Sequence, residues 1–244
     1  MGIPEDAKAR AIETRNSLGI GANESVNVFN ILRNIMNVSL IGRPLTTDVS
    51  GLFVRHYDTR IILINTARSR GHQFFTAAHE LCHLLYHEAL TGHVCKVGLH
   101  NAQSPVEKEA DNFAGRFLCP DQAIDYLLLK RQKPSRPVSL ADCVFLEQYF
   151  NVSHQVMLIR LQQLDRITGQ QAEEWKAGII RTAREIGYDT RLYKPTGDYW
   201  VMSNYAEKAR DALERDLISW GKYEELLLEA GLEEVLFGEE AEDD

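Results

Sequence analysis

Apolar residues follow helical spacing in several stretches of the chain and form short continuous runs in others. Residues 4–18 are predicted to be a first helix, and a second helix is predicted after Asn23, its candidate N-cap. Val28, Leu32 and Ile35 give that second helix an apolar face. Three apolar runs are predicted to be strands, of which the last two form a hairpin: residues 38–41, 51–55 and 60–65.

A long helix is predicted over residues 73–90, because small and apolar residues recur along one of its faces. Residues 91–104 show little periodicity and are predicted to be a loop. Further helices are predicted over residues 105–118 and from Asp121 onward, before the proline-containing stretch 132–137 marks a boundary. The packing face predicted for the long helix consists of Ala78, Cys82, Leu85 and Ala89.

The rest of the chain is predicted to be a pair of helices followed by a mixed segment. Ser139 is the predicted cap of a helix over residues 140–150, and a second helix over residues 154–164 completes a helix-turn-helix-like pair. Residues 191–202 are predicted to form a hairpin with its turn at Pro195–Asp198, and residues 206–219 a helix.

The pattern as a whole predicts an α+β fold. A small mixed sheet is expected to pack on the long helix, followed by the helix-turn-helix-like segment and by a small α+β appendage. The acidic end of the appendage is expected to be disordered. The predicted units are residues 1–133, 134–175 and 176–244.

Charge is distributed unevenly along the 244 residues. The chain has 27 Lys and Arg against 35 Asp and Glu, a net charge of −8. Residues 1–175 hold 18 of each sign, so residues 176–244, with 9 against 17, carry the whole excess. This acidic segment disfavours nonspecific binding to nucleic acid. No signal peptide, membrane-spanning run or paired cysteine motif is evident, and a cytoplasmic protein with reduced cysteines is expected.

The long helix contains the strongest chemical signal in the chain, a His-Glu-x-x-His motif. His79 and His83 are four residues apart and lie on the same side of a helix, where both imidazoles can reach one zinc ion. Glu80 lies beside them and can accept a proton from the water that attacks a substrate. The motif predicts metal ligands at the two histidines and a general base at Glu80.

A catalytic zinc site needs a third protein ligand, and the helix over residues 105–118 offers two carboxylates. Glu107 shares a face with Ala110 and Asp111, next to an apolar stripe, whereas Glu109 lies on a more polar side. A carboxylate on a packed face is costly unless it is paired or binds a metal, which favours Glu107. Glu109 remains the alternative. Asp111, one turn after Glu107, could accept a hydrogen bond from a ligand histidine.

Four other histidines could approach such a site. His87 continues the four-residue spacing but lies one turn too far to bind the same ion, so a supporting or structural role is predicted. His72, His93 and His100 lie in predicted loops and are expected to be ordinary surface histidines.

Two blocks of sequence resemble the ImmA/IrrE family of metallopeptidases: residues 75–87, which hold the motif, and residues 107–120, with Glu107-Lys108-Glu109-Ala110-Asp111-Asn112-Phe113-Ala114. The resemblance covers residues 25–130. It implies a thermolysin-like zinc site with His79 and His83 as ligands, Glu80 as base and Glu107 as third ligand. Cys82, Cys119 and Asp111 stand where glycine, methionine and asparagine are frequent in the family, and none of these differences removes a ligand.

The resemblance further implies an endopeptidase that cleaves a helix-turn-helix repressor in a stress or mobile-element response. The alternative is a zinc-containing regulator that binds a transcription factor without cleaving it. A DNA-binding role for the helix pair is disfavoured, because Arg136 and Arg160 are its only cations.

Overall fold

The computed structural model describes residues 3–96, 104–131 and 137–237. It confirms the predicted α+β class, with a five-stranded mixed sheet and helices around it. The elements up to the chain's midpoint are α1 (Ile3–Ser17), α2 (Val28–Asn30) continued by a π-helical turn (Ile31–Ile35), β1 (Ser39–Arg43), β2 (Val49–His56), β3 (Thr59–Asn65), α3 (Arg70–Tyr86), β4 (Gly92–Lys96), α4 (Pro105–Leu118) and α5 (Asp121–Arg131).

Helices predominate in the second half of the chain. Along the chain they flank one further strand, β5, which is short. In order, the elements are α6 (Leu140–Phe150), α7 (His154–Gln163), α8 (Gly169–Trp175), α9 (Ile179–Glu185), a 3₁₀ turn (Arg191–Tyr193), β5 (Trp200–Met202), α10 (Tyr205–Glu214), α11 (Trp220–Glu229) and α12 (Glu233–Phe237).

The strand order in the sheet is β4-β2-β3-β1-β5. The β1 and β3 strands are parallel and all other neighbours are antiparallel. All three predicted strands are confirmed: β1 begins and ends later than predicted, and β2 and β3 are longer than predicted. The proposed cap at Asn23 is wrong: the second helix begins later, and the Asn27 side chain accepts a hydrogen bond from the N–H of Asn30 at 3.2 Å.

The predicted loop over residues 91–104 is wrong at its start, where β4 pairs with β2 as an edge strand. His93 and Cys95 are the more buried residues of β4, while the Val94 side chain between them is 50% exposed. An apolar residue that faces outward between two polar ones hides the strand pattern, so pairing with β2 rather than local sequence determines this element. Residues 97–103 lie outside the described part of the chain.

The predicted hairpin over residues 191–202 is also wrong. Arg191–Tyr193 is a 3₁₀ turn, and Trp200–Met202 pairs antiparallel with β1 as the other edge of the main sheet. The Trp200 ring packs over Gly42 of β1, where an added Cβ would lie 2.1 Å from a ring carbon. The centre of the Trp200 ring lies 5.5 Å from that of the Phe29 ring. The segment predicted as a separate appendage therefore contributes a strand to the sheet on which α3 packs.

We expect Gly42→Ala to destabilise the protein by about 1–3 kcal/mol, because the new methyl group must displace the Trp200 ring and with it β5. Gly221→Ala is the matched control, since an added Cβ there meets nothing within 4 Å. Urea denaturation of both variants measures the effect. Equal free energies of unfolding for the two variants would contradict the packing of Trp200 on β1.

The helix-turn-helix-like pair is present as predicted, with α6 capped by Ser139, whose side chain is paired with Asp142 in a capping box. Both helices bury residues such as Phe150 and Met157 in the same core as the sheet. Arg160 is buried and contacts the Cys119 carbonyl and Asp121. This arginine is therefore not available to contact the phosphates of a nucleic acid.

A buried network joins α6, α7 and the 3₁₀ turn. The Glu147 carboxylate accepts hydrogen bonds from the Tyr193 hydroxyl at 2.7 Å and from the Cys143 thiol at 3.0 Å, and lies 2.6 Å from Nδ1 of His154. Burial alone lowers the pKa of His154, but Glu147 more than offsets this, so that the pKa is raised.

Because the pKa of His154 is higher in the folded protein than its unfolded value of about 6.5, its protonation stabilises the folded state. This contribution is complete below the unfolded pKa and is lost as pH rises through the folded pKa. We expect the free energy of unfolding to fall as pH rises from the unfolded pKa of His154 to its folded pKa, and to fall less in the variant His154→Gln. Urea denaturation across the window measures both slopes, and identical slopes would contradict the assignment.

The last three helices form a small second core around Ala209, Tyr223 and Leu227. The division of the chain into three units stays a prediction. The shared main core nevertheless extends through α8 and β5, well past residue 134. Among the described residues, no helix is long and apolar enough to cross a membrane.

Candidate metal centre

The helix that carries the motif is fixed at both ends and along its length. Arg55 of β2 donates hydrogen bonds to the carbonyls of Leu84 at 2.6 Å and Glu88 at 3.2 Å, which satisfies the C-terminal end of α3. Gly51 lets β2 approach closely, since a Cβ there would lie 2.6 Å from the Thr76 side chain. The helix is displaced from the predicted range, and Ala89 of the predicted packing face lies beyond its end.

Burial of α3 extends around the whole helix and is not confined to the predicted face. His79, Glu80 and His83 are at most 2% exposed. The sheet covers one side of α3, and α4 packs against another. Polar side chains enclosed in this way need partners or a bound ion, because unpaired buried polar groups are unfavourable.

Three potential ligand atoms converge beside α3. Nε2 of His79 lies 3.0 Å from Nε2 of His83, and the Glu107 carboxylate lies 3.3 Å from the first and 3.2 Å from the second. Nitrogen and oxygen ligands at about 2.0–2.1 Å from a tetrahedral zinc ion lie about 3.3–3.4 Å apart. The two separations from the carboxylate are close to that spacing and the separation between the histidine nitrogens is shorter, so a small adjustment lets these residues hold one metal ion.

The opposite ring nitrogens of the two histidines have partners of their own. Nδ1 of His79 lies 2.9 Å from the Asp111 carboxylate, and Nδ1 of His83 lies 2.8 Å from Nδ1 of His87. If each Nδ1 donates its proton outward, both Nε2 lone pairs face the Glu107 carboxylate. Three acceptors that converge in this way can share one cation, as in carboxylate–histidine–metal arrangements. The sequence-based expectations for Asp111 and His87 agree with this geometry.

The pKa shifts of His79 and Glu107 both favour a positive charge beside the Glu107 carboxylate. Burial lowers the pKa of His79, but Cys95, Asp111 and Glu107 together raise it well above its usual value. Burial raises the pKa of Glu107, but its hydrogen bonds to the two histidines lower it strongly. His83, mainly through burial, has its pKa lowered to about 4 and therefore offers a neutral ring.

Glu80 lies beside this group with no hydrogen-bond partner for either carboxylate oxygen within the described residues. Its side chain is completely buried. Burial raises the pKa of Glu80 to about 7, with His79 acting in the opposite direction and Glu107 in the same one. A carboxyl group with a pKa in this range can both accept and donate a proton near neutral pH.

Glu109, the alternative third ligand, points to a different partner. Its carboxylate forms an ion pair with Arg10 of α1 and lies 3.6 Å from Nε2 of His87. Glu109 is thus connected to the group of His79, His83 and Glu107 through His87, which lies between them.

The structure corrects the expectations for two of the remaining histidines. His93 lies on β4, and its Nε2 is 3.1 Å from the Glu107 carboxylate. His93 reaches this position because it belongs to β4, a strand that was not predicted. The only local signal for that strand was the three-residue alternation around Val94. His72 lies in α3, where its Nε2 is hydrogen-bonded to the Ser50 hydroxyl at 2.9 Å, and is half-buried. His100 is outside the described residues.

A comparison with curated proteins finds none that matches the chain significantly. A comparison with protein families finds one match, over residues 34–162, to the family described as IrrE N-terminal-like domain, peptidase M78. The matched range is more than half of the chain, contains β1 to α7 and includes every residue of the metal-binding group. The protein therefore belongs to the ImmA/IrrE family of metallopeptidase-like proteins, peptidase family M78.

Proposed function

We propose that this protein is a zinc-dependent endopeptidase. The observation that carries the proposal is the convergence of ligand atoms from His79, His83 and Glu107 to 3.0–3.3 Å of one another, with Glu80 beside them and without a hydrogen-bond partner among the described residues. A protein that only bound a partner would not need a buried carboxylate in that position, because burying an unpaired carboxylate is unfavourable unless it serves a reaction.

Zinc held by these ligands would polarise the scissile carbonyl and acidify a water molecule. Glu80 accepts the proton of the attacking water on its carboxylate and afterwards gives it to the leaving amine nitrogen. Asp111 orients the His79 ring, and His87 orients that of His83. His93 lies against the Glu107 carboxylate from the side of β4.

The sheet edge next to this site is an argument for a peptide as the substrate. The β4 strand pairs with β2 on one side, and its other side pairs with no strand among the described residues. An extended peptide could add to that side through main-chain hydrogen bonds. The likeness to ImmA/IrrE proteins favours a helix-turn-helix repressor as the substrate, within a stress or mobile-element response.

The test is incubation of the purified protein with the repressor encoded next to it, with zinc and with an added chelator. We expect about one zinc per chain, a truncated repressor in the first reaction and intact repressor in the second. If the protein binds zinc and the repressor but leaves the repressor uncut, the alternative applies: a regulator that sequesters a transcription factor.

A further inference from the structure

A cavity remote from the proposed metal centre lies between α1, the segment that follows α1, and the junction of α4 with α5. Its volume is about 200 Å³, and its wall includes the guanidinium side chains of Arg15 and Arg116 and the apolar side chains of Ile12 and Ile20. Arg116 comes nine positions after Glu107 on α4, which is about 13 Å along the helix axis. This arginine cavity is therefore not part of the proposed zinc site.

Arg15 brings a buried positive charge to the wall of the arginine cavity. The residue is 3% exposed. Its three hydrogen bonds all go to main-chain carbonyls, that of Phe117 at 2.7 Å and those of Gly21 and Glu24 at 2.6 Å each, and none goes to a carboxylate. A guanidinium has five N–H donors, so two of them, including that of Nε, have no partner within the described residues.

The charge of Arg15 is thus buried without a bound anion, and buried charges are unfavourable unless they are paired. Burial accordingly lowers the pKa of Arg15. The Glu24 carboxylate attracts the guanidinium, but it accepts a hydrogen bond from the N–H of Gly21 at 3.1 Å rather than from Arg15.

Arg116 brings a second guanidinium that has no carboxylate partner among the described residues. It is half-buried, and its hydrogen bond goes to the neutral side-chain oxygen of Asn112 at 2.9 Å. Burial and the charge of Arg160 lower the pKa of Arg116, with Asp121 acting in the opposite direction. Asp121 is the one carboxylate in the described wall of the cavity, and it is already paired with Lys8 at 2.7 Å and with Arg160. The wall therefore carries an excess of positive charge.

We propose that the arginine cavity binds a small organic carboxylate with an apolar body. A carboxylate in the cavity would balance the charges of Arg15 and Arg116, and guanidinium groups bind carboxylates through paired N–H···O hydrogen bonds. The apolar side chains of Ile12, Ile20 and Pro120 in the same wall favour an organic ligand, whose apolar part would cover them and remove them from water. The volume of about 200 Å³ corresponds to roughly seven water molecules at about 30 Å³ each, which suits a small molecule.

Isothermal titration calorimetry of the full chain with benzoate tests the proposal. Benzoate joins a carboxylate to an apolar ring, benzamide has nearly the same shape without the charge, and inorganic phosphate has the charge without the apolar part. We expect benzoate to bind at one site per chain and to raise the melting temperature as its concentration increases. Benzamide and phosphate should each bind at least about 10-fold more weakly.

Two variants locate the binding site. Arg116→Gln removes one positive charge, keeps an N–H group that can reach Asn112, and should weaken benzoate binding by about 10–100-fold. Arg181→Gln is the matched control: this arginine lies on α9 with its side chain 81% exposed, and its loss should leave benzoate binding unchanged. Ile12→Asp places a fixed carboxylate in the cavity wall three positions before Arg15 and should abolish benzoate binding. Ile12 is 48% exposed, so this variant decides the question if Arg116→Gln does not fold.

Failure of benzoate to bind would overturn the proposal. Equal affinities for benzoate and benzamide would show that the two arginines do not select an anion, and phosphate that binds as tightly as benzoate would exclude the apolar part of the ligand. Unchanged benzoate binding in folded Arg116→Gln or Ile12→Asp would remove the site from this cavity. None of these results bears on the proposed peptidase, because the experiment uses neither zinc nor cleavage.

Discussion

Substitution of Glu80 by glutamine is expected to reduce the rate of peptide cleavage by about 10²–10⁴-fold, the usual contribution of a general base. Glutamine has nearly the same shape but cannot accept the proton of the attacking water. The Glu80 carboxylate has no hydrogen-bond partner among the described residues, so the amide breaks no existing bond. We therefore expect the zinc content and the fold to be unchanged. Single-turnover cleavage of the repressor and metal analysis of the same samples measure the two properties.

Glu88→Gln is the control for this experiment. It removes the same charge just beyond the C-terminal end of α3, from a side chain that is exposed to solvent. Cleavage by this variant should match that of the unmodified protein. Undiminished cleavage by Glu80→Gln would refute Glu80 as the base, and loss of zinc from that variant would mean that its effect is structural.

Substitution of Glu107 by alanine is expected to weaken zinc binding by more than the 10–100-fold that is roughly typical when a supporting residue is removed. Its carboxylate lies 3.2–3.3 Å from the Nε2 atoms of both motif histidines, so the variant would lose one of the three proposed ligands. Glu109→Ala should have little effect on zinc, because the Glu109 carboxylate is paired with Arg10. Competition with a chromogenic chelator gives both dissociation constants.

Asp111→Ala provides an intermediate reference, since Asp111 contacts the His79 ring rather than the metal position. It should raise the dissociation constant by about 10–100-fold. The expected order of effect is therefore Glu107, then Asp111, then Glu109. A larger loss of zinc in Glu109→Ala than in Glu107→Ala would transfer the role of third ligand to Glu109.

Much of the candidate site follows from local sequence because its parts lie on two regular helices. The four-residue spacing of His79 and His83 places them on one side of α3 wherever the helix lies in the fold. In α4, the apolar neighbours of Glu107 indicate the face that packs inward. The fourteen-residue α4 is predicted with its observed bounds, and the seventeen-residue α3 with boundaries a few residues from the observed ones.

The contribution of β4 could not be predicted in this way. Cys95 and His93 reach the site only because β4 pairs with β2, and a bulge at Ser50 sets the register. The local sequence of β4 has too few apolar residues to reveal a strand. The same applies to β5, whose three residues pair with β1 across more than 150 positions of the chain.

The sequence by itself thus determined the α+β class and the candidate chemistry that we propose: two histidines, a base between them and a carboxylate ligand one helix later. Helical spacing is a local property, so these conclusions do not depend on the partners of each helix. Tertiary structure alone decided which strands flank the site, how closely β2 approaches α3, and that a thiol lies beside His79. Strand pairing joins distant residues through main-chain hydrogen bonds, which are the same for every residue type except proline, so side-chain patterns specify it only weakly.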